Sequence, residues 1–147
     1  MSKPDKPRVL FLCTGNSCRS QMAEAFCRHL HSGSLEAFSC GIEKHGMNPL
    51  AVRVMQEIGI DMSTHYSKTL EDLGGLDFEY VITVCGHASE SCPVFPGRTK
   101  LIHQGFDDPP RLAANSPTEQ EALVHYRRVR DEIRDYIQNL PGSLGRS

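Results

Sequence analysis

The stretch from Val9 to Ser20, VLFLCTGNSCRS, constrains this chain more than any other. Val9, Leu10, Phe11 and Leu12 are apolar without alternation, the pattern of a parallel strand covered on both faces. A tight polar loop follows, in which Gly15 and Asn16 tolerate the positive φ that a sharp reversal requires. From Ser20 onward, Met22, Ala23, Phe26, Cys27 and Leu30 recur at helical spacing. The free N–H groups and positive dipole end of that helix point back at the loop. One short segment therefore reads as strand, anion-binding loop and helix start.

Cys13 stands at the carboxyl end of the strand, where backbone donors, a helix dipole and Arg19 all favour a thiolate. Such surroundings lower a cysteine pKa from about 8.5 to roughly 3.5–7.5. Arg19, six residues on, returns over the loop with a planar fork suited to two oxygens of a tetrahedral anion. Cys-x5-Arg is thus the pattern of a nucleophile facing an oxyanion already held in place. The plainer reading is a buried structural cysteine beside a surface arginine, since cysteine is among the most buried residue types. The strand before, the Gly-Asn turn within and the helix after argue against it.

At 147 residues with 39% hydrophobic content, the chain is expected to be a single globular domain over residues 1–147, with a loose tail from about 141. A net charge of −2 and dispersed Lys and Arg residues speak against nucleic acid as a partner. The polar start has no signal-peptide core and no run is long enough to span a membrane, so the expected location is the cytoplasm. Six cysteines there are expected to be free thiols, catalytic groups or metal ligands. Cys85 and Cys92 are separated by six residues with His87 between them, a wider gap than the two to four usual in zinc sites; a zinc reading built from Cys85, His87 and Cys92 is the alternative, and it needs a fourth ligand that the sequence does not nominate. No metal site is expected.

Strand and helix alternate along the rest. Leu35 to Ser39 reads as a short second strand ending near Cys40 and Gly41. Asn48-Pro49 is an N-cap with proline at the first helical position, Leu50, Ala51, Val54, Met55 and Ile58 share one face, and Gly59 ends that helix. Residues 61–78 read as a loop with one helical turn. Tyr80 to Val84 is a third strand delivering Cys85 at its carboxyl end, and Lys100 to His103 a fourth. Ser116-Pro-Thr-Glu119 reads as a capping box opening a long helix with Ala122, Tyr126, Val129, Ile133, Tyr136, Ile137 and Leu140 along its stripe. Alternation of this kind implies a parallel sheet, whose ligands lie beyond the carboxyl ends of the strands. Cys13 and Cys85 are both placed at that edge.

Residues 9–24, VLFLCTGNSCRSQMAE, resemble the phosphate loop of the low-molecular-weight protein tyrosine phosphatase fold, and specifically its thioredoxin-coupled arsenate reductase branch. The resemblance continues through Phe38 to Pro49, Val81 to Cys85, Cys92-Pro93 and Gly105 to Pro109, nearly the whole chain. It implies a three-layer α/β sandwich with a four-stranded parallel sheet flanked by helices. It also implies an oxyanion site built from Thr14, Gly15, Asn16, Ser17, Cys18, Arg19 and Ser20, with Asp108, directly before a proline, as general acid. Asp107 is the neighbour that invites confusion with it.

The branch further implies a relay in which Cys13 attacks arsenate, Cys85 attacks the Cys13 sulfur as arsenite leaves, and Cys92 then attacks Cys85. Thioredoxin, or a glutaredoxin-type or other thiol reductant, resolves the last disulfide, and phosphate or sulfate competes for the loop. If 85–92 is helical when reduced, seven residues at ~1.5 Å each hold the two sulfurs' backbones about 10 Å apart, too far for a disulfide without rearrangement. Asn16, Glu24 and Ser39 match positions that help bind potassium in some relatives. A further acidic position of that site is Lys68 here, whose ammonium is expected to replace the ion.

The alternative is a low-molecular-weight phosphatase, which would use Cys13, Arg19 and Asp108 alike. Ser20-Gln21 lacks the proline usual in those enzymes, and Asp108-Pro-Pro-Arg111 lacks aromatic residues lining an aryl pocket. A non-enzymatic oxyanion or metal sensor is the third reading. Cys27 and Cys40 are assigned no role, nor is Cys18 beyond the loop, and the histidines, His45 and His65 among them, show no ligand spacing.

Overall fold

The computed structural model describes residues 6–86, 95 and 97–140. Four strands, β1 (Arg8–Cys13), β2 (Glu36–Gly41), β3 (Tyr80–Thr83) and β4 (Lys100–His103), form one parallel sheet in the order β2-β1-β3-β4. β1 is central: Leu10 pairs with Phe38 on one side and Val81 on the other, and Val9 through Cys13 are buried. The unalternating apolar run is thus a strand covered on both faces, and the class is the α/β arrangement read from the sequence, a parallel sheet flanked by helices.

Helix α1 (Arg19–His31) returns against β1 and β2, and its residues from Ser20 to Cys27 are all buried. Helix α2 (Pro49–Glu57) starts where expected, with Asn48 Oδ1 accepting from the N–H groups of Leu50 and Ala51. Gly59 follows it at φ 84°, a conformation that favours glycine. The single turn expected within 61–78 is a 3₁₀ turn at Leu70–Leu73.

The second and third strands differ from the sequence reading by one or two residues at their ends, and two helices differ more. A short helix, α3 (Pro109–Ala113), begins directly after Asp108, in a segment too brief to show a hydrophobic period. The long helix, α4 (Glu119–Gln138), is capped by Thr118, whose hydroxyl accepts from Glu121 N–H, and not by Ser116. Both Ser-x-x-Glu and Thr-x-x-Glu satisfy the capping pattern, and the later one lies nearer the first buried residue, Ala122. Helix α4 packs on α1, α2 and α3, with Leu123, Tyr126, Val129, Ile133 and Ile137 buried. No helix of the described residues is long and apolar enough to cross a membrane.

Candidate active site

Residues 13–20 follow β1 at the sheet's carboxyl edge. The loop reverses at Asn16, the one described non-glycine residue with positive φ, at 50°. That strain is held by the Asn16 side chain. Its Nδ2 donates to Ser20 Oγ (2.8 Å) and Ser39 Oγ (3.0 Å), while its Oδ1 accepts from Gln21 Nε2 and from Lys68 N–H, both at 2.8 Å. All of these bonds are buried, so the amide's donors and acceptor are used and the turn has one shape.

Gly15 does not take positive φ, as the sequence reading had it. It is needed for close approach, because a Cβ there would enter the imidazole of His45. Gly41 has the same office from the other side, where a Cβ would lie 2.8 Å from both Asn16 N and Thr14 O. The segment after β2 laces the loop through main-chain bonds: Ile42 N–H to Cys13 O, Glu43 to Thr14 O, His45 to Gly15 O and Asn48 to Ser17 O.

These constraints enclose a cavity of about 270 Å³ lined by Cys13, Thr14, Gly15, Ser17, Cys18 and Arg19 of the loop, with His45, Asp108 and Pro110. Asn16 and Ser20 lie fully buried behind that wall. Helix α1 has no side-chain cap at Cys18, so its first N–H groups remain for a bound anion. Arg19 donates from Nη1 to Phe106 O (2.9 Å) and pairs through Nη2 with Asp108 Oδ1 (3.5 Å). Its Nε is buried and has no hydrogen-bond partner among the described residues. The guanidinium thus ties the segment after β4 to the loop while keeping a donor for an oxyanion.

The two adjacent aspartates separate cleanly. Asp107 turns outward to Arg128 on α4 (3.1 Å), whereas Asp108 faces Arg19 and the cavity with its side chain 40% exposed. A water-accessible carboxyl beside the nucleophile's cavity has the position a proton donor needs.

Cys85, one residue beyond Val84 after β3, is buried with its Sγ 3.2 Å from Thr14 Oγ1. It also hydrogen-bonds Cys13. That bond, followed by burial, raises the Cys13 pKa, while Arg19 and the Thr14 N–H pull it down. The expectation of a plainly depressed pKa is therefore corrected: contact with Cys85 and burial outweigh Arg19 and the Thr14 N–H, and Cys13 holds its proton. Burial likewise pushes the Cys18 thiol up to about 12. Cys92 and His87 lie outside the described residues, as does most of the 85–92 segment expected to rearrange for a disulfide. Among the described residues no cluster of His, Cys, Asp or Glu is arranged to hold a metal ion.

Beneath the loop, Ser39 Oγ donates to Glu24 Oε1, and Glu24 also pairs with Arg28 (2.8 Å). Lys68 Nζ, its side chain 9% exposed, stands 3.8 Å from Glu24, donates to Tyr66 O (3.0 Å) and lies over the Tyr66 ring. Two cations thus face this carboxylate.

The family model of the low molecular weight phosphotyrosine protein phosphatases matches residues 8–147. The chain belongs to that family. An arsenate reductase of Halalkalibacterium halodurans is 45% identical over 129 residues, covering 88% of this chain and 91% of that protein. Among solved structures, an arsenate reductase in its phosphate-binding state superposes with a TM-score of 0.72 at 32% identity, covering 93% of this chain and 98% of the other. A thioredoxin-dependent arsenate reductase of Corynebacterium glutamicum gives 0.67 at 26% identity, covering 95% of this chain and 62% of that one.

Within this family, His45 is the cavity residue that sequence reasoning passed over. Its signal was present as a polar residue close after the second strand, at the sheet's carboxyl edge, but nothing in the spacing tied it to Gly15.

Proposed function

We propose that this protein reduces arsenate to arsenite. The observation that carries the reading is the second buried thiol, Cys85, hydrogen-bonded to Cys13 at the anion loop. Ester hydrolysis has no use for it. An oxyanion whose central atom accepts two electrons does.

In the proposed cycle the loop N–H groups and Arg19 Nε hold arsenate, the Cys13 thiol passes its proton to an oxygen of the bound dianion, and its sulfur attacks arsenic. Asp108 protonates the departing oxygen, which leaves as water, and a sulfur–arsenic(V) adduct remains. Cys85 then attacks the Cys13 sulfur. The sulfur–arsenic bond breaks with its electron pair going to arsenic, arsenite departs, and a Cys13–Cys85 disulfide forms. Thr14 Oγ1 lies 3.2 Å from the Cys85 sulfur, and once Cys85 is ionised the hydroxyl alone can donate across that contact, which favours the thiolate this step requires. Cys92 attacks Cys85, frees Cys13 and leaves a Cys85–Cys92 disulfide for an external dithiol. Thioredoxin is the reductant we favour, in line with the Corynebacterium relative, and a glutaredoxin would do the same chemistry. Phosphate and sulfate compete for the loop, and the cytoplasm, where thiols stay reduced, is the proposed setting.

A tyrosine phosphatase is the second reading, favoured by the family description and by the shared Cys13, Arg19 and Asp108. Arsenate reduction and aryl phosphate hydrolysis by wild type, Cys13→Ser, Cys85→Ser and Cys92→Ser separate the two. Cys13→Ser is expected to lose both activities and Cys85→Ser to lose arsenate turnover alone. Cys92→Ser should complete one turnover and stall with Cys13 in a disulfide. Normal arsenate cycling with both downstream thiols removed would leave the phosphatase.

A further inference from the structure

One wall of the cavity takes no part in the steps above. β2 and β4 lie on opposite sides of β1, so the segments following them reach the loop from opposite sides. The β4 side brings Asp108 and Pro110, and the β2 side brings His45.

His45 is held at three points. Its main-chain N–H donates to Gly15 O (3.0 Å), its ring lies against Gly15 with the Nδ1 edge foremost, and its Nε2 is 2.9 Å from Glu43 Oε1. A carboxylate only accepts, so Nε2 carries a hydrogen, and the tautomer with its hydrogen there has Nδ1 as an acceptor on the edge turned to the loop. The side chain is half exposed, which puts the rest of the ring at the cavity's mouth. Glu43 is itself fixed by its main-chain bond to Thr14 O.

We propose that His45, oriented by Glu43, is a specificity-determining residue of the oxyanion site: Nδ1 accepts a hydrogen bond from a hydroxyl of a free tetrahedral oxyanion, and the ring fills space that an organic ester group would need. The proposal rests on the arsenate reading. A protonated inorganic oxyanion has a hydroxyl to offer this acceptor, whereas the dianion of a phosphate monoester has none and brings a bulky group instead. His45 acts on which anion is held, and the bond-breaking steps belong to Cys13, Cys85 and Asp108.

The test compares arsenate reduction, with a dithiol reductant, and hydrolysis of p-nitrophenyl phosphate in wild type, His45→Ala and Glu43→Ala. Loss of one hydrogen bond is expected to raise KM for arsenate on the order of five- to ten-fold with kcat little changed. Ester hydrolysis is expected to hold or improve, so the ratio of the two kcat/KM values falls about ten-fold in His45→Ala and less in Glu43→Ala. General damage to the loop would lower both activities together. A ratio unchanged in His45→Ala, in an enzyme whose wild type reduces arsenate, would overturn this proposal alone. A wild type that hydrolyses the ester but fails on arsenate would overturn it together with the reading beneath it.

Discussion

The loop at residues 13–20 and the arm at 104–110 meet at one cavity, but they are held in unlike ways. The loop is bound from beneath by the Asn16 amide, from the side by residues 42–48, and behind by Gln21 and Ser39, nearly all of it away from water. The arm is anchored by Gln104 and Phe106 N–H groups on Thr83 O and Val84 O, by Arg19 on Phe106 O, and by the edge of the Phe106 ring on Tyr136. Asp108 itself is loosely paired and open to solvent. The contrast teaches a division of labour: the part that binds charge is preformed, since reorganisation at that step would weaken electrostatic stabilisation, while the part that moves a proton keeps contact with water.

Three experiments press on this division. The largest effect is expected at the arm. Asp108→Asn should lower kcat for arsenate reduction by roughly 10²–10⁴-fold, the usual range for a lost general acid, with KM within a few-fold. Asp107→Asn, which removes only an exposed pair with Arg128, should leave both within about two-fold. Equal losses in the two variants would mean that the arm's shape matters and the proton donor has been misassigned.

The second effect concerns the contact between the two sulfurs. The Cys85 hydrogen bond is the foremost cause raising the Cys13 pKa, so Cys85→Ala should lower it, and a lower pKa means more thiolate at any given pH. Alkylation of Cys13 by iodoacetamide at neutral pH should then speed up on the order of ten-fold per unit of pKa, with its pH midpoint moved downward. An unmoved midpoint would show that burial alone sets the thiol.

The smallest effect is expected beneath the loop. Because the Lys68 ammonium and the Arg28 guanidinium already face Glu24, titration with potassium at constant ionic strength should leave kcat and KM unchanged. Strong activation would show that the underside of the loop is less complete than its bonding suggests, and would narrow the difference between the two regions.

Much of this was legible in the chain. An apolar run without alternation can only be covered on both faces, and it is β1. Asn48-Pro49 carries its own cap chemistry and starts α2 where it stands. Cys13, Arg19 and Asp108 were nominated from the sequence, and the structure gathers them at one cavity. The misses share a cause. Helix α3 is too short for a period, and the choice between Ser116 and Thr118 depends on where the apolar face first meets the core. Gly15 looked like a residue chosen for φ, while its hydrogen atom in fact makes room for a ring thirty positions away.

What the sequence by itself determined is local: the strand and helix periods of the longer elements, the Asn48 cap, and the order of chemical groups along the chain, because these follow from neighbours within a few residues. Only tertiary structure decided which groups face each other. It set Cys85 against Cys13 and, with burial, turned the expected thiolate into a protonated thiol. It sent Asp107 outward and Asp108 inward, and laid His45 on Gly15. Each of those outcomes depends on burial and on partners brought from distant strands, and no spacing along a single chain encodes them.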